Sequence, residues 1–168
     1  LFIVASSFSD PGAVSAGKVF LWPVDFSLAG YRVIFQSPYI MRGFYNSVVY
    51  TLLGTVISVT LTLFAGYPLA RKDLKIRGVV MFLFTVTMFF NGGMIPTYLV
   101  VSKLHLINTI WAMVLPGAMG VWNVILTKTY IQTSIPDEIY ESASIDGCSD
   151  WRYFVNMVIP LSKPIIAV

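Results

Sequence analysis

Charge is what this sequence has least of. Only 11% of its 168 residues are Asp, Glu, Lys or Arg, against roughly 25% in a soluble domain. Too little polar surface remains to keep such a chain in water, which excludes an ordinary soluble domain. Cys148 is the only cysteine, so an internal disulfide and a cysteine-based metal centre are excluded. His105 is the only histidine, and one imidazole makes no histidine cluster. A net charge of +3 is too small to mark a nucleic-acid surface. No metal, cofactor or nucleic-acid partner is expected. Catalysis lacks its parts as well. The acids are Asp10, Asp25, Asp73, Asp137, Glu138, Glu141, Asp146 and Asp150, and with a single histidine no nucleophile, base and orienting group can be assembled. No catalytic residue is assigned.

Apolar sequence is abundant. The chain is 57% hydrophobic and 15% aromatic, with a mean hydropathy of +0.77. The runs 46–70, 79–101 and 107–127 contain no Asp, Glu, Lys or Arg. At about 1.5 Å per helical residue, each is long enough for the ~30 Å hydrocarbon core. Three membrane-spanning helices are predicted there, and an all-α, polytopic membrane bundle follows. Residues 1–5 read as the tail of an earlier span and 157–168 as the start of a later one, so both ends read as truncations. Arg71, Lys72, Lys75 and Arg77 crowd one short connection, which the positive-inside rule assigns to the cytoplasm. Segment 6–45 and the loop 102–106 are then outside, and 128–156 is inside by parity. Turn signals at Asp10-Pro11-Gly12 and Trp22-Pro23 predict an irregular, short-helical outer segment. Phe20, Trp22 and Phe26 suit the membrane interface there.

Two local signals need weighing. Gly12–Val19 nearly spells a phosphate-binding loop. Val19 stands where the magnesium-binding hydroxyl belongs, no strand precedes it, and Pro23 follows too soon for the required helix. It is a coincidence. Within the spans, Asn91-Gly92-Gly93, Pro96, Pro116-Gly117 and Gly120 interrupt the helices. Such breaks are tolerated where backbone is buried or lines a cavity. Close helix packing through small residues accounts for them. So does a path for a polar, uncharged solute lined by Phe90, Asn91, Trp122 and Asn123, and the sequence leaves both open.

The inner loop carries the strongest pattern. Ser134-Ile135-Pro136-Asp137 predicts a helix start, with a Ser cap, Pro in the first turn, and Asp137 and Glu138 at the positive end of the dipole. The helix is predicted to stop at Asp146-Gly147, where Gly permits a left-handed closing residue. Ser149 or Asp150 is predicted to cap a second helix over 151–158. A short, rigid helix–turn–helix projecting from the membrane fits the groove of a partner.

The spacing Glu141-Ser142-Ala143-x3-Gly147-x9-Met157-x-Ile159-Pro160 resembles the EAA loop of binding-protein-dependent ABC importers. Ser142, Met157 and Ile159 replace the pattern's Ala, Ile and Leu. Asp146, Phe154 and Leu161-Ser162-Lys163-Pro164 resemble the carbohydrate branch. Asn46-Ser47, Tyr67–Arg71 and Gly93–Tyr98 extend the likeness to permeases similar to the second subunit of the maltose transporter, in a Gram-positive complex-oligosaccharide group. The resemblance implies a MetI-like fold and a plasma-membrane permease for a sugar or oligosaccharide. It implies a sister permease, cytoplasmic ABC ATPase subunits and an extracytoplasmic solute-binding lipoprotein, with lipid around the spans. It also implies that Glu141, Ser142, Ala143, Asp146, Gly147, Phe154 and Pro160 form the ATPase-coupling site, with Glu141 facing a basic residue. The alternatives are an ABC permease for an amino acid or peptide, and a gradient-driven carrier. The carrier lacks its usual titratable group, since the spans hold no charge.

Overall fold

The computed structural model describes residues 1–167. The chain divides into two units, Leu1–Val49 and Tyr50–Val168. Among the described residues the only β-pairing is an isolated bridge between Ser9 and Phe26.

The first unit contains helices α1 (Phe2–Ser7), α2 (Pro11–Ser15) and α3 (Ala29–Gln36) and the opening of α4 (Pro38–Ala70). Asp10 caps α2 by accepting from the Gly12 amide at 2.8 Å, with Pro11 in the first turn. Ala5, Ala13 and Val19 form its small core, and Phe8 stacks on Phe26 at 5.8 Å. The phosphate-loop look-alike is therefore helix α2 with a left-handed stop at Gly17 (φ 68°), no cradle for an anion. Phe20, Trp22 and Phe26 are exposed.

The second unit holds the rest of α4, followed by α5 (Arg77–Phe89), α6 (Met94–Lys103), α7 (Trp111–Val114), α8 (Val121–Ser134) and α9 (Asp137–Ile145). Then come α10 (Asp150–Tyr153), a π-helical turn (Phe154–Val158), α11 (Ile159–Leu161) and α12 (Lys163–Ile166). Its core gathers Leu63 and Ala70 of α4, Ile131 of α8, Ile135, Ala143 of α9, and Tyr153, Phe154 and Val158. Helix α8 reaches α4 closely because Gly66 has no side chain. A Cβ there would lie 2.8 Å from Thr127 Cγ2.

The helices depart from the predicted runs in three places. Helix α4 starts at Pro38, eight residues before the run at 46, because a proline is welcome at a helix start and no acid or base interrupts it beyond Arg42. The run 79–101 is two helices, α5 and α6, bent by 116°. Asn91 Oδ1 accepts from the Gly93 amide at 2.9 Å, and Gly93 takes φ 86°, a conformation costly for any residue but glycine. The run 107–127 is also no single rod. Pro116-Gly117 separates α7 from α8, and α8 continues past Thr127 to Ser134. Of the described helices, α4 alone is long and apolar enough to cross a membrane by itself, and the bent α5–α6 pair meets the same measure jointly. Large apolar side chains such as Phe82, Leu83, Phe89, Met94 and Ile95 are exposed, a surface that water does not favour.

Candidate functional site

Helices α9 and α10 form the predicted helix–turn–helix, and the details differ from the expectation at its start. Ser134 is the last residue of α8, and Pro136 occupies the cap position of α9 without a side-chain cap. The predicted Ser cap is thus corrected. Pro136 disfavours helical geometry at Ile135 before it, so the break falls between the two helices. Asp137 and Glu138 lie in the first turn, where carboxylates favour the dipole.

The turn is a Schellman closure. The Cys148 amide donates to the Ala143 carbonyl at 2.9 Å and the Gly147 amide to that of Ser144 at 3.1 Å, with Gly147 at φ 74°. Ser149 then caps α10, accepting from the Arg152 amide. The chain passes through the π turn into Pro160. A wider turn relieves the clash and the missing donor that a proline brings to a helix.

One face of this knob is fixed to α4. Tyr67 packs on Phe154 at 4.9 Å between ring centres. Phe64 stacks on Phe154 at 5.5 Å and on Trp151 at 6.0 Å, and Tyr140 meets Tyr153 edge-on at 5.1 Å. Arg71, one residue past α4, gathers the polar groups. Its Nε and Nη2 donate to both oxygens of Asp73 at 2.8 and 2.6 Å. Its Nη1 donates to Asp150 at 2.6 Å and Nη2 to the Tyr140 hydroxyl at 2.6 Å. Tyr140 in turn donates to Asp150 at 2.9 Å, and the guanidinium lies 4.1 Å from the Tyr140 ring centre. Hydrogen bonds from Arg71 hold the carboxyls of Asp73 and Asp150 below the usual carboxylate range. Hydrogen bonds to Asp73 first, then to Asp150, Tyr67 and Tyr140, hold the guanidinium above its ordinary value. Lys72 pairs with Asp137, and Gln132 donates to the Ala70 carbonyl at 3.0 Å. Arginine's planar fork suits this many-partner role, which lysine could not fill.

The other face is free among the described residues. Glu138, Glu141 and Ile145 follow one another at i, i+3 and i+7 along α9, all exposed, with Ile145 87% so. The predicted coupling residues therefore divide. Glu141, Ser142, Asp146, Gly147 and Pro160 are at the surface, whereas Ala143 and Phe154 are buried supports.

The four predicted path residues do not converge. Asn91 lines a cavity of about 460 Å³ with Met94, Thr97 and Tyr98. Asn123 lines another, of about 610 Å³, between α4, the 113–117 segment, α8 and α12. Phe90 and Trp122 line neither cavity and are 79% and 59% exposed. Two features escaped the sequence reading. One is the Arg71 hub, whose only local trace is Tyr67 at i−4. The other is Thr51, Thr55, Ser58 and Thr62, which share a face of α4 and line the larger cavity. Their spacing of four, three and four was the signal that could have found them.

The chain belongs to the family described as the binding-protein-dependent transport system inner membrane component, which matches residues 58–168. It is 43% identical over 167 residues to the polygalacturonan/rhamnogalacturonan transport system permease protein YtcP of Bacillus subtilis, covering 99% of this chain and 58% of that one. It is 40% identical to protein LplC of the same organism, over 99% of this chain and 56% of the relative. The melibiose/raffinose/stachyose import permease protein MelC of B. subtilis is 28% identical, over 98% and 60%. A crystal structure of a bacterial ABC transporter involved in the import of the acidic polysaccharide alginate matches with a TM-score of 0.93 and 31% identity, over 99% of this chain and 59% of that one. The chain thus spans 56% to 60% of the length of these proteins. The expected all-α, MetI-like fold is the one observed.

Proposed function

We propose that this chain is part of the permease subunit of an ATP-driven importer, crosses the plasma membrane several times, and carries a sugar or oligosaccharide. The observation that supports this most is the two-sidedness of α9. One side is tied to the end of α4 through Arg71 and Tyr140, and the other presents Glu138, Glu141 and Ile145 outward. A rigid helix with an acidic and apolar free face fits a groove that carries a basic residue. The groove belongs to a cytoplasmic ABC ATPase, with Glu141 as the charged contact and Ser142, Asp146 and Gly147 beside it. ATP hydrolysis resides in that separate subunit. A movement of the docked knob reaches α4 because the two are pinned together, and rigid-body motion of helices switches access to the path. A sister permease and an extracytoplasmic solute-binding lipoprotein complete the assembly. The sugar assignment draws on the relatives above, whose names specify polygalacturonan, melibiose, raffinose and alginate. Asn91 and Asn123 remain the path candidates that line cavities.

The test is co-purification of the full-length permease with its ATPase. Glu141→Lys should lose the ATPase while inserting in the membrane at the normal level. Retention of the ATPase and normal uptake would refute the docking assignment.

A further inference from the structure

A cleft of about 300 Å³ lies where the basic connection after α4 meets the α8–α9 junction and α10. That volume is at the small end of ligand sites. Lys72, Arg77, Gln132, Asp137 and Tyr153 are its polar lining apart from Tyr67. Lys72 and Asp137 answer each other as an ion pair, so the charge left over in the cleft is that of Arg77.

Arg77 and Tyr153 are both short of partners. Arg77 is half-buried and joins no salt bridge among the described residues. Its Nη1 donates to the Arg71 carbonyl at 3.3 Å, which leaves four of a guanidinium's five N–H groups available. Tyr153 is 4% exposed, yet its hydroxyl has no hydrogen-bond partner among the described residues. The hydroxyls of its neighbours Tyr67 and Tyr140 are both taken by Arg71. A buried tyrosine usually finds a partner for its O–H. Solvent does not reach the unpaired hydroxyls of Ser6, Thr62 and Ser162, and that of Tyr153 is not among these sealed groups. The cleft is the opening that Tyr153 lines.

We propose that this cleft binds a phosphate group, held by the Arg77 guanidinium and the Tyr153 hydroxyl, with Lys72 at its rim. The planar fork of arginine pairs with two phosphate oxygens. A planar carboxylate would be used up by that fork, whereas a tetrahedral phosphate keeps an oxygen for the phenol. Arg77 also opens α5, whose start has no side-chain cap, so the helix dipole adds to the positive field. The phosphate has two possible sources, the headgroup of an anionic lipid or a soluble phosphate ester. Arg71, Lys72, Lys75 and Arg77 on one connection suit an anionic leaflet, and α5 runs straight from Arg77 into Val79, Phe82 and Leu83. The proposal uses neither the transported solute nor the ATPase contact.

The test is native mass spectrometry of the assembled, full-length transporter, delipidated and then titrated. The probes are phosphatidylglycerol, diacylglycerol (which lacks the phosphate) and glycerol 3-phosphate (which lacks the acyl chains). At least one phosphate-bearing probe should bind where diacylglycerol does not. Arg77→Gln should weaken that binding about tenfold, and Tyr153→Phe about three- to tenfold, the worth of one hydrogen bond to a charged and to a neutral donor. Arg77→Lys, which keeps the charge and loses the fork, should fall between the parent and Arg77→Gln. Lys103→Gln removes a charge outside the cleft and should bind as the parent does. Binding of phosphatidylglycerol alone identifies the lipid as the source, and displacement of it by glycerol 3-phosphate identifies a soluble ester. Binding of diacylglycerol as tight as that of both phosphate probes would overturn the site. So would equal losses in Arg77→Gln and Lys103→Gln, or parental binding by Tyr153→Phe. Glu141 lies outside the cleft, so loss of the ATPase from Glu141→Lys, or its retention, bears on docking alone.

Discussion

Arg71 and Asp150 stand 79 residues apart in the sequence and meet at 2.6 Å. The contact joins the end of α4 to the first residue of α10, and Tyr140 of α9 bonds both partners. Arg71 is 18% exposed and Asp150 67%. The pair is therefore anchored by the half-buried arginine and its several acceptors, since an isolated exposed ion pair would contribute little.

Arg71→Ala should loosen the knob from α4. Losing a cluster of charge-assisted hydrogen bonds costs about 2 kcal/mol, roughly a thirtyfold rise in local opening. Hydrogen exchange over 137–161 should accelerate by about that factor while α5 is unaffected. Arg71→Lys should recover only a small part, because an ammonium cannot serve Asp73 with two parallel bonds while reaching Asp150 and Tyr140. Equal exchange in Arg71→Ala and the parent would remove Arg71 from the role of tie.

The pH dependence follows from the depressed carboxyls of Asp73 and Asp150. A carboxyl whose folded value is lowered stabilises the fold above its unfolded value, about 3.9, and loses that contribution as pH falls through the folded value. The knob should thus hold unchanged from pH 8 to about 5 and loosen only below about 4. The Lys72 contact with Asp137 raises the lysine's value. Its contribution is fully present below about 10.4 and lost as pH rises through the raised value. Trp151 stacks on Phe64 at 6.0 Å, so its fluorescence reports both limits when Trp22, Trp111 and Trp122 are replaced by Phe. A transition near pH 6 would contradict this.

Gly66→Ala should strain the α4–α8 crossing, where the new methyl would meet Thr127 Cγ2 at 2.8 Å and Cβ at 3.1 Å. Overpacking of this kind costs about 1–3 kcal/mol, read as a lower melting temperature of the purified protein. Gly54→Ala, where no neighbour lies within 4 Å, is the control and should melt as the parent does.

Gly147→Ala should disturb the turn by a different route. No atom crowds the position, but φ 74° costs a residue with a Cβ about 1–2 kcal/mol. Gly147→Asn should be milder, since asparagine tolerates the left-handed region. Melting of the two variants checks the order, and Asn melting below Ala would contradict it.

The knob was legible in sequence because its determinants are local. Pro136 ends one helix, Gly147 closes the next and Ser149 caps the third, all within 14 residues. The EAA spacing added Glu141 as the residue to test. The Ser134 cap misled because a polar residue before a proline looks the same whether it ends one helix or opens another. The runs 79–101 and 107–127 carried their interruptions at Asn91-Gly92-Gly93 and Pro116-Gly117 in sequence, while hydropathy, which reads length and composition, gave no sign of the 116° bend between α5 and α6. The hub of Arg71, Tyr140 and Asp150 was out of reach, since nothing at Arg71 signals a partner 79 residues on. The hydroxyl face of α4 was within reach, through its helical spacing, and was hidden by the apolar residues between its members.

The central claim is that the free face of α9 docks on an ABC ATPase. The most direct measurement is site-specific photocrosslinking from Ile145, which is 87% exposed beside Glu141 and Glu138. A benzophenone side chain at 145 in the full-length permease, in native membranes, should crosslink to the ATPase. The same group at Leu104, also exposed and beyond α6, should not. Equal ATPase capture from both positions, or none from 145 in a transporter that still imports solute, would contradict the account.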